Sequence, residues 1–256
     1  MRMRSRLVAL AVGSCLASTV VGGSASAAFP DFSGCIRSTP NVFACIDIAS
    51  FDGSMTIKGF RVPIGSSFGI RGTLAIDGTQ PSGFRFVPPT GSTGIFAKPI
   101  QVPGGLLGID FPIPGNAVTA TAQLAGIPSR IQINPGTFEV RVPVKLALTN
   151  PIIGPGCSIG STSSPVNLDL IVGTTSPPAP NRPISGRPGT FDFTNPNYVL
   201  VNGGRNVDNS FSIPGASGCG IGLGLINSIV NLKLKLPSAS GNNEIVVDNN
   251  VAIGGL

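Results

Sequence analysis

The run Gly156-Cys157-Ser158-Ile159-Gly160 has the spacing G-x-S-x-G. In α/β-hydrolases that pattern holds a nucleophilic serine on a tight turn between a strand and a helix. A second match, Gly65-Ser66-Ser67-Phe68-Gly69, lies earlier in the chain. A serine nucleophile needs a base, and the sequence contains no histidine. This excludes Ser-His-Asp and Cys-His catalysis and all His-ligated metal centres. With 35 Gly in the chain and serine abundant, the pattern arises by chance. Ser158 therefore reads as a loop serine, and Cys157 beside it as the informative residue.

Carboxylates offer the remaining route to hydrolysis. Glycoside cleavage uses two, one of them with a raised pKa. The chain has only two glutamates, Glu139 and Glu244. Glu139 alternates with Arg141 on a charged strand face and reads as solvated. Asp52-Gly53 and Asp77-Gly78 read as turn pairs. A pair of Asp side chains across one cleft would be needed for a His-free hydrolase. The runs "NVDNS" and "VVDNN" hold oxygen ligands without the spacing of a calcium loop, so Asx turns are expected there. No cofactor is implied.

Residues 1–27 read as a secretory signal. Arg2, Arg4 and Arg6 form a basic start, Leu7–Leu16 an apolar run, and Ala25-Ser26-Ala27 a cleavage site. The apolar run is too short and too broken by Gly and Ser to span a bilayer. Cys15 as a lipidated residue is a poorer fit, because Val12-Gly13-Ser14 precedes it. Export leaves a mature domain at 28–256, secreted or held non-covalently at the cell surface. Removing the three arginines from 17 Lys and Arg leaves 14 against 11 Asp and Glu, a net +3. The bases are scattered, so nucleic acid is not an expected partner.

Four cysteines remain after cleavage: Cys35, Cys45, Cys157 and Cys219. Four cysteines in an exported chain allow three connectivities. Cys35 with Cys45 and Cys157 with Cys219 is the preferred one. It closes one short loop and joins two Gly-rich loops. Chain entropy assigns these links about 3 and about 4 kcal/mol. A zinc site is disfavoured by the lack of His and of C-x-x-C.

The elements that must position these residues are strands. In "TFEVRVPVKLALTN", Phe138, Val140, Val142, Val144, Leu146 and Leu148 alternate with polar residues, and Pro143 suggests an edge or a bulge. "SFGIRGTLAID" sets Phe68, Ile70, Leu74 and Ile76 against Arg71 and Thr73. "AVTATAQLAG" and "PVNLDLIVGTT" alternate in the same way. Further strands are expected at 54–64, 84–87, 130–133, 190–193, 198–201, 209–213 and 243–253. Gly, Pro and Asn punctuate them about every ten residues, which predicts an all-β antiparallel sandwich, as one unit or two packed β units. A single short helix is expected near 223–235, stopped by Pro237. Residues 174–183, "TTSPPAPNRP", read as a proline-rich linker inside the domain.

The chain has no Trp, one Tyr (Tyr198) and 14 Phe. Sugar platforms and membrane-barrel girdles favour Trp and Tyr, so both lose weight. "VPGGLLGIDFPIPG" is the most apolar stretch without a period. It reads as packed core, and Leu106, Leu107, Ile109 and Phe111 are its candidates for contact with a lipid or partner.

The stretches "NPIIGPGCSIGSTSSPVNLDLIVGTTSPPAPNRPISGRPG", "VDNSFSIPGASGCG", "QVPGGLLGIDFP" and "LKLPSASGNN" cover much of the mature chain. In them the sequence resembles a group of exported actinobacterial proteins with no assigned activity. The resemblance implies export and two Cys-linked loops, and brings no catalytic residues. The expectation is a non-catalytic β protein of the envelope or medium with a structural, adhesive or interaction role. It would present sheet edges and loops to a protein or envelope component. An apolar-ligand or lipid binder is the second reading and a His-free hydrolase the third. An apolar cavity between the sheets would favour the second.

Overall fold

Every second residue from Phe138 to Val144, and Leu148 beyond them, is buried, while Glu139, Arg141 and Thr149 are not. This alternation is the organising feature of the computed structural model, which describes residues 29–106, 114–134, 137–220 and 225–255. The predicted signal at 1–27, including Cys15, lies outside the described residues.

In chain order the strands are β1 Val42–Ile57, β2 Phe60–Pro63, β3 Phe68–Ile76, β4 Phe84–Val87, β5 Ile95–Ala97, β6 Ile100–Gln101, β7 Thr119–Leu124 and β8 Ser129–Asn134. They continue as β9 Thr137–Thr149, β10 Ser158–Ile159, β11 Val166–Leu170, β12 Thr190–Asp192, β13 Tyr198–Asp208 and β14 Ala216–Ser217. Helix α1 Leu225–Lys233 precedes β15 Asn243–Gly254. The first sheet runs β12-β13-β15-β1-β3-β4, with β2 on β1 and β5 on β3. The second runs β14-β10-β9-β7-β6, with β8 and β11 also on β9. All pairs are antiparallel. The two sheets pack face to face around one core cluster that includes Ile46, Ile70, Leu74, Val142, Val166 and Val251. The protein is an all-β sandwich.

Strand β9 is the hub of the second sheet, not an edge. One side pairs with β11 and then β10, the other with β8 and then β7. Pro143 is tolerated because it stands where the second side changes partner. Its carbonyl accepts from Ala125 N (2.9 Å) just past the end of β7, and its missing N–H faces the bend between β7 and β8.

Asp52-Gly53 is not a turn. It sits inside β1, where the register with β15 shifts between Ser50 and Asp52. Gly53 has φ +140°, and a Cβ there would lie 2.3 Å from Val246 O. The glycine is needed for a bulge. Asp77-Gly78 does form a turn, with Asp77 Oδ1 accepting from Thr79 N. The expected strand at 54–64 is a hairpin of β1 and β2 about Lys58-Gly59, both at positive φ. Residues 209–213 contribute only an isolated bridge, from Ile213 to Ser238.

Thr73, on the strand face opposite Phe68, Ile70 and Leu74, is fully buried as well, because residues 29–39 lie over the outer side of β1 and β3. Ile36 N donates to Thr73 Oγ1 (2.7 Å), and Cys35–Cys45 ties this segment to β1. Ile76, on the same strand face as Phe68, Ile70 and Leu74, ends β3 and is 53% exposed.

Cys157–Cys219 joins the approach to β10 with the loop after β14, with Cα atoms 4.1 Å apart. The backbones meet closely. A Cβ on Gly218 (φ +69°) would lie 2.4 Å from Gly156 O. The proline-rich segment is fixed to the sandwich. Thr175 N donates to Ile184 O, and Asn181 Nδ2 donates to Asn209 O and Asn243 O.

The helix begins and ends within the predicted 223–235. Its end is a Schellman motif. Leu236 N donates to Asn231 O and Lys235 N to Leu232 O, with Lys235 at φ +54°. Val230 is buried, while Leu225, Ile229 and Leu232 stay exposed. Asn231 Oδ1 accepts from Ala216 N (2.6 Å) and Asn227 Oδ1 from Cys219 N (2.8 Å), so α1 covers the edge at β14. Among the described residues no helix is long and apolar enough to cross a membrane.

Candidate functional site

Ser158 begins the two-residue strand β10, between β9 and β14, and its Oγ donates to Gly160 O (3.1 Å). It is not on a strand-to-helix turn. Ser67, the serine of the second match, donates to Ile64 O. Neither serine has a basic side chain among these partners.

Four of the described carboxylates belong to arginine-centred groups. Arg71 bridges Asp31 (2.8 Å) and Asp47 (2.9 Å) beneath the N-terminal segment. Arg130 and Arg141 share Asp169. Arg205 and Arg187 share Asp248, Arg205 by two hydrogen bonds of 2.8 and 2.7 Å. The hydrogen bond to Asp248 raises the Arg205 pKa.

Burial pushes the Asp47 and Asp208 carboxyls up. Both are committed to structural hydrogen bonds. Asp47 Oδ2 accepts from Asp31 N (2.6 Å), and Asp208 accepts from Asp169 N and Ser210 N. Asp31 is held low, chiefly by Ser33. Glu139 is not simply solvated, since its Oε1 accepts from Val172 N (3.2 Å).

A polar groove of ≈ 300 Å³ brings together Asp52, Glu244, Asp248, Arg61 and Arg205. The two raised carboxyls are not part of it. The Asp residues of "NVDNS" and "VVDNN" are used as hydrogen-bond acceptors, for backbone N–H groups at Asp208 and for Arg205 at Asp248. Among the described residues no three His, Cys, Asp or Glu side chains are placed to hold a metal ion.

The apolar counterpart lies between the sheets. The hairpin of β1 and β2 supplies Met55, Ile57 and Phe60, and β9 supplies Val144, Leu146 and Leu148. β5 and β7 contribute only alanines, Ala97, Ala120 and Ala122. These small side chains stand where the alternation calls for inward-facing residues, and the sheets do not fill the space between them. The result is a trough with a volume of ≈ 100 Å³, and Ser67 is its only hydroxyl-bearing wall residue among the described residues. Met55, Phe60, Ala120, Ala122 and Leu146 are half-exposed, which marks its open side.

A smaller cavity of ≈ 20 Å³ adjoins it and shares Val102, Leu148 and Leu234. Its wall adds Leu106, Val230 and Lys233. Leu106 packs against the core as well as lining this cavity. Leu107, Ile109 and Phe111, the other predicted contacts, lie outside the described residues.

The walls of the trough come from at least eight strands, and sequence reading did not single them out. The one local signal was the run of Ala on the inward face of "AVTATAQLAG", where neighbouring strands carry Val, Leu or Ile. Comparison with family models, curated proteins and solved structures finds no match.

Proposed function

We propose that the protein is an exported, non-catalytic carrier that holds an apolar ligand in the trough between its sheets. One observation carries this reading: the wall is apolar almost throughout, with alanines leaving room where a sandwich core is normally filled. The disulfides fit an oxidising compartment, and the resemblance to exported actinobacterial proteins is in keeping with it.

The adhesive reading through sheet edges is less well supported. Of the strands with a single partner strand or at a sheet end, β2, β4, β5, β6, β12 and β14 have two to four residues each and β11 and β8 have five and six, and α1 covers β14. Short, covered edges are poor templates for pairing with another chain. The hydrolase reading suffers because the carboxyls raised by burial are locked in structural hydrogen bonds away from the polar groove.

The test is native mass spectrometry of the oxidised protein with dodecanol, an uncharged single chain. One equivalent should bind the wild type, and Ala122→Phe, which fills the trough, should abolish binding while remaining folded. Binding that persists in Ala122→Phe would place the ligand elsewhere and defeat the proposal.

A further inference from the structure

Within the two adjoining cavities, Lys233 is the only charged side chain that lines a wall among the described residues. It stands in the last turn of α1, half-exposed, and no carboxylate or carbonyl among the described residues pairs with it. Lysine covers apolar surface with its stem while keeping its ammonium at the water boundary. At the wall of the smaller cavity, that arrangement would keep the lining apolar and put one positive charge at the water boundary.

The space in the trough is small. An apolar cavity of about 150 Å³ takes a single benzene ring, and the trough's ≈ 100 Å³ is smaller. A ring or a pair of chains exceeds that volume. One linear hydrocarbon chain can lie along the open trough with part of its length enclosed.

Resting on the carrier reading above, we infer that the ligand is a single-chain lipid anion, a long-chain carboxylate. Its chain lies between the sheets and its headgroup meets Lys233. The carboxylate stays at the solvent boundary, so it does not incur the full desolvation cost of a buried ion pair. The trough supplies affinity for the chain, and Lys233 supplies the preference for an acid over a neutral head.

Lys233 also has a structural use, as a cation at a helix C-terminus. The readout must therefore be selectivity, not affinity or stability alone. Dodecanoate and dodecanol are titrated against the oxidised full chain and against Lys233→Met and Lys233→Arg. Wild type should prefer the acid by about fivefold, the scale of a part-exposed charge pair. Lys233→Met should bind both alike at the wild-type dodecanol affinity, and Lys233→Arg should keep the preference. Equal binding of acid and alcohol by the wild type would overturn the headgroup assignment and leave the trough intact. Failure to bind either would overturn the carrier reading itself. A preference surviving in Lys233→Met would assign the anion to another cation.

Discussion

At the scale of single residues, buried carboxyls act as structural acceptors. Asp208 is 3% exposed, and both its oxygens accept backbone N–H groups. Burial raises its folded-state pKa above the ordinary 3.8. Its contribution is therefore fully present below that value, where folded and unfolded chains are both protonated. It is lost as pH rises through the folded pKa. Asp208→Ala should cost more stability at pH 3.5 than at pH 7, measured by urea unfolding at each pH. A penalty that grows toward neutral pH would mean the charged form is the favoured one. Ser158→Ala tests the other residue-scale conclusion. It loses one hydrogen bond to Gly160 O, so a cost within about 0.5–1.5 kcal/mol is expected. Labelling of the wild-type serine by an active-site phosphonylating probe would contradict the reading of Ser158 as structural.

At the scale of elements, period-two alternation made β4, β9, β11 and β15 legible, because each sets an apolar face against a more polar one. The same logic hid the first half of β1. Ala44, Ile46 and Ile48 face the core, but Cys45 and Asp47 are buried too, under residues 29–39. With both faces covered, no polar alternation remains to be read. The two-residue strands β10 and β14 are too short to show any period. They are specified by what flanks them, including Asn231 of α1, which holds Ala216 N–H. Asn231→Ala should leave that group unpaired and cost about 1–3 kcal/mol. Hydrogen exchange should show protection lost at Ala216 and retained on β9. The trough was legible only through its alanines, since its other wall residues are distant in sequence and look like ordinary core. Filling it should stabilise the fold or leave it unchanged. Ala122→Leu adds buried apolar atoms on the open side without displacing backbone, so its Tm should not fall in the absence of ligand.

At the scale of the whole molecule, the sandwich is closed by two covalent links of different reach. Cys35–Cys45 spans 10 residues and pins the segment that covers the outer face of the first sheet. Cys157–Cys219 spans 62 and encloses the proline-rich segment. Their pairing was legible as a preference, because loop length and Gly content are sequence properties. In the chain-entropy picture, Cys157→Ala with Cys219→Ala should cost about 4 kcal/mol, and Cys35→Ala with Cys45→Ala about 3. Denaturant melts of the two double variants rank them directly, and the reverse order would show that enthalpic packing of the N-terminal segment dominates.

We propose that a linear hydrocarbon chain lies between the sheets. Alanine-methyl labelling and intermolecular NOEs to bound dodecanoate test it most directly. Contacts are expected from the chain methylenes to the Ala120 and Ala122 methyls. A saturated complex whose chain protons contact neither methyl would contradict it.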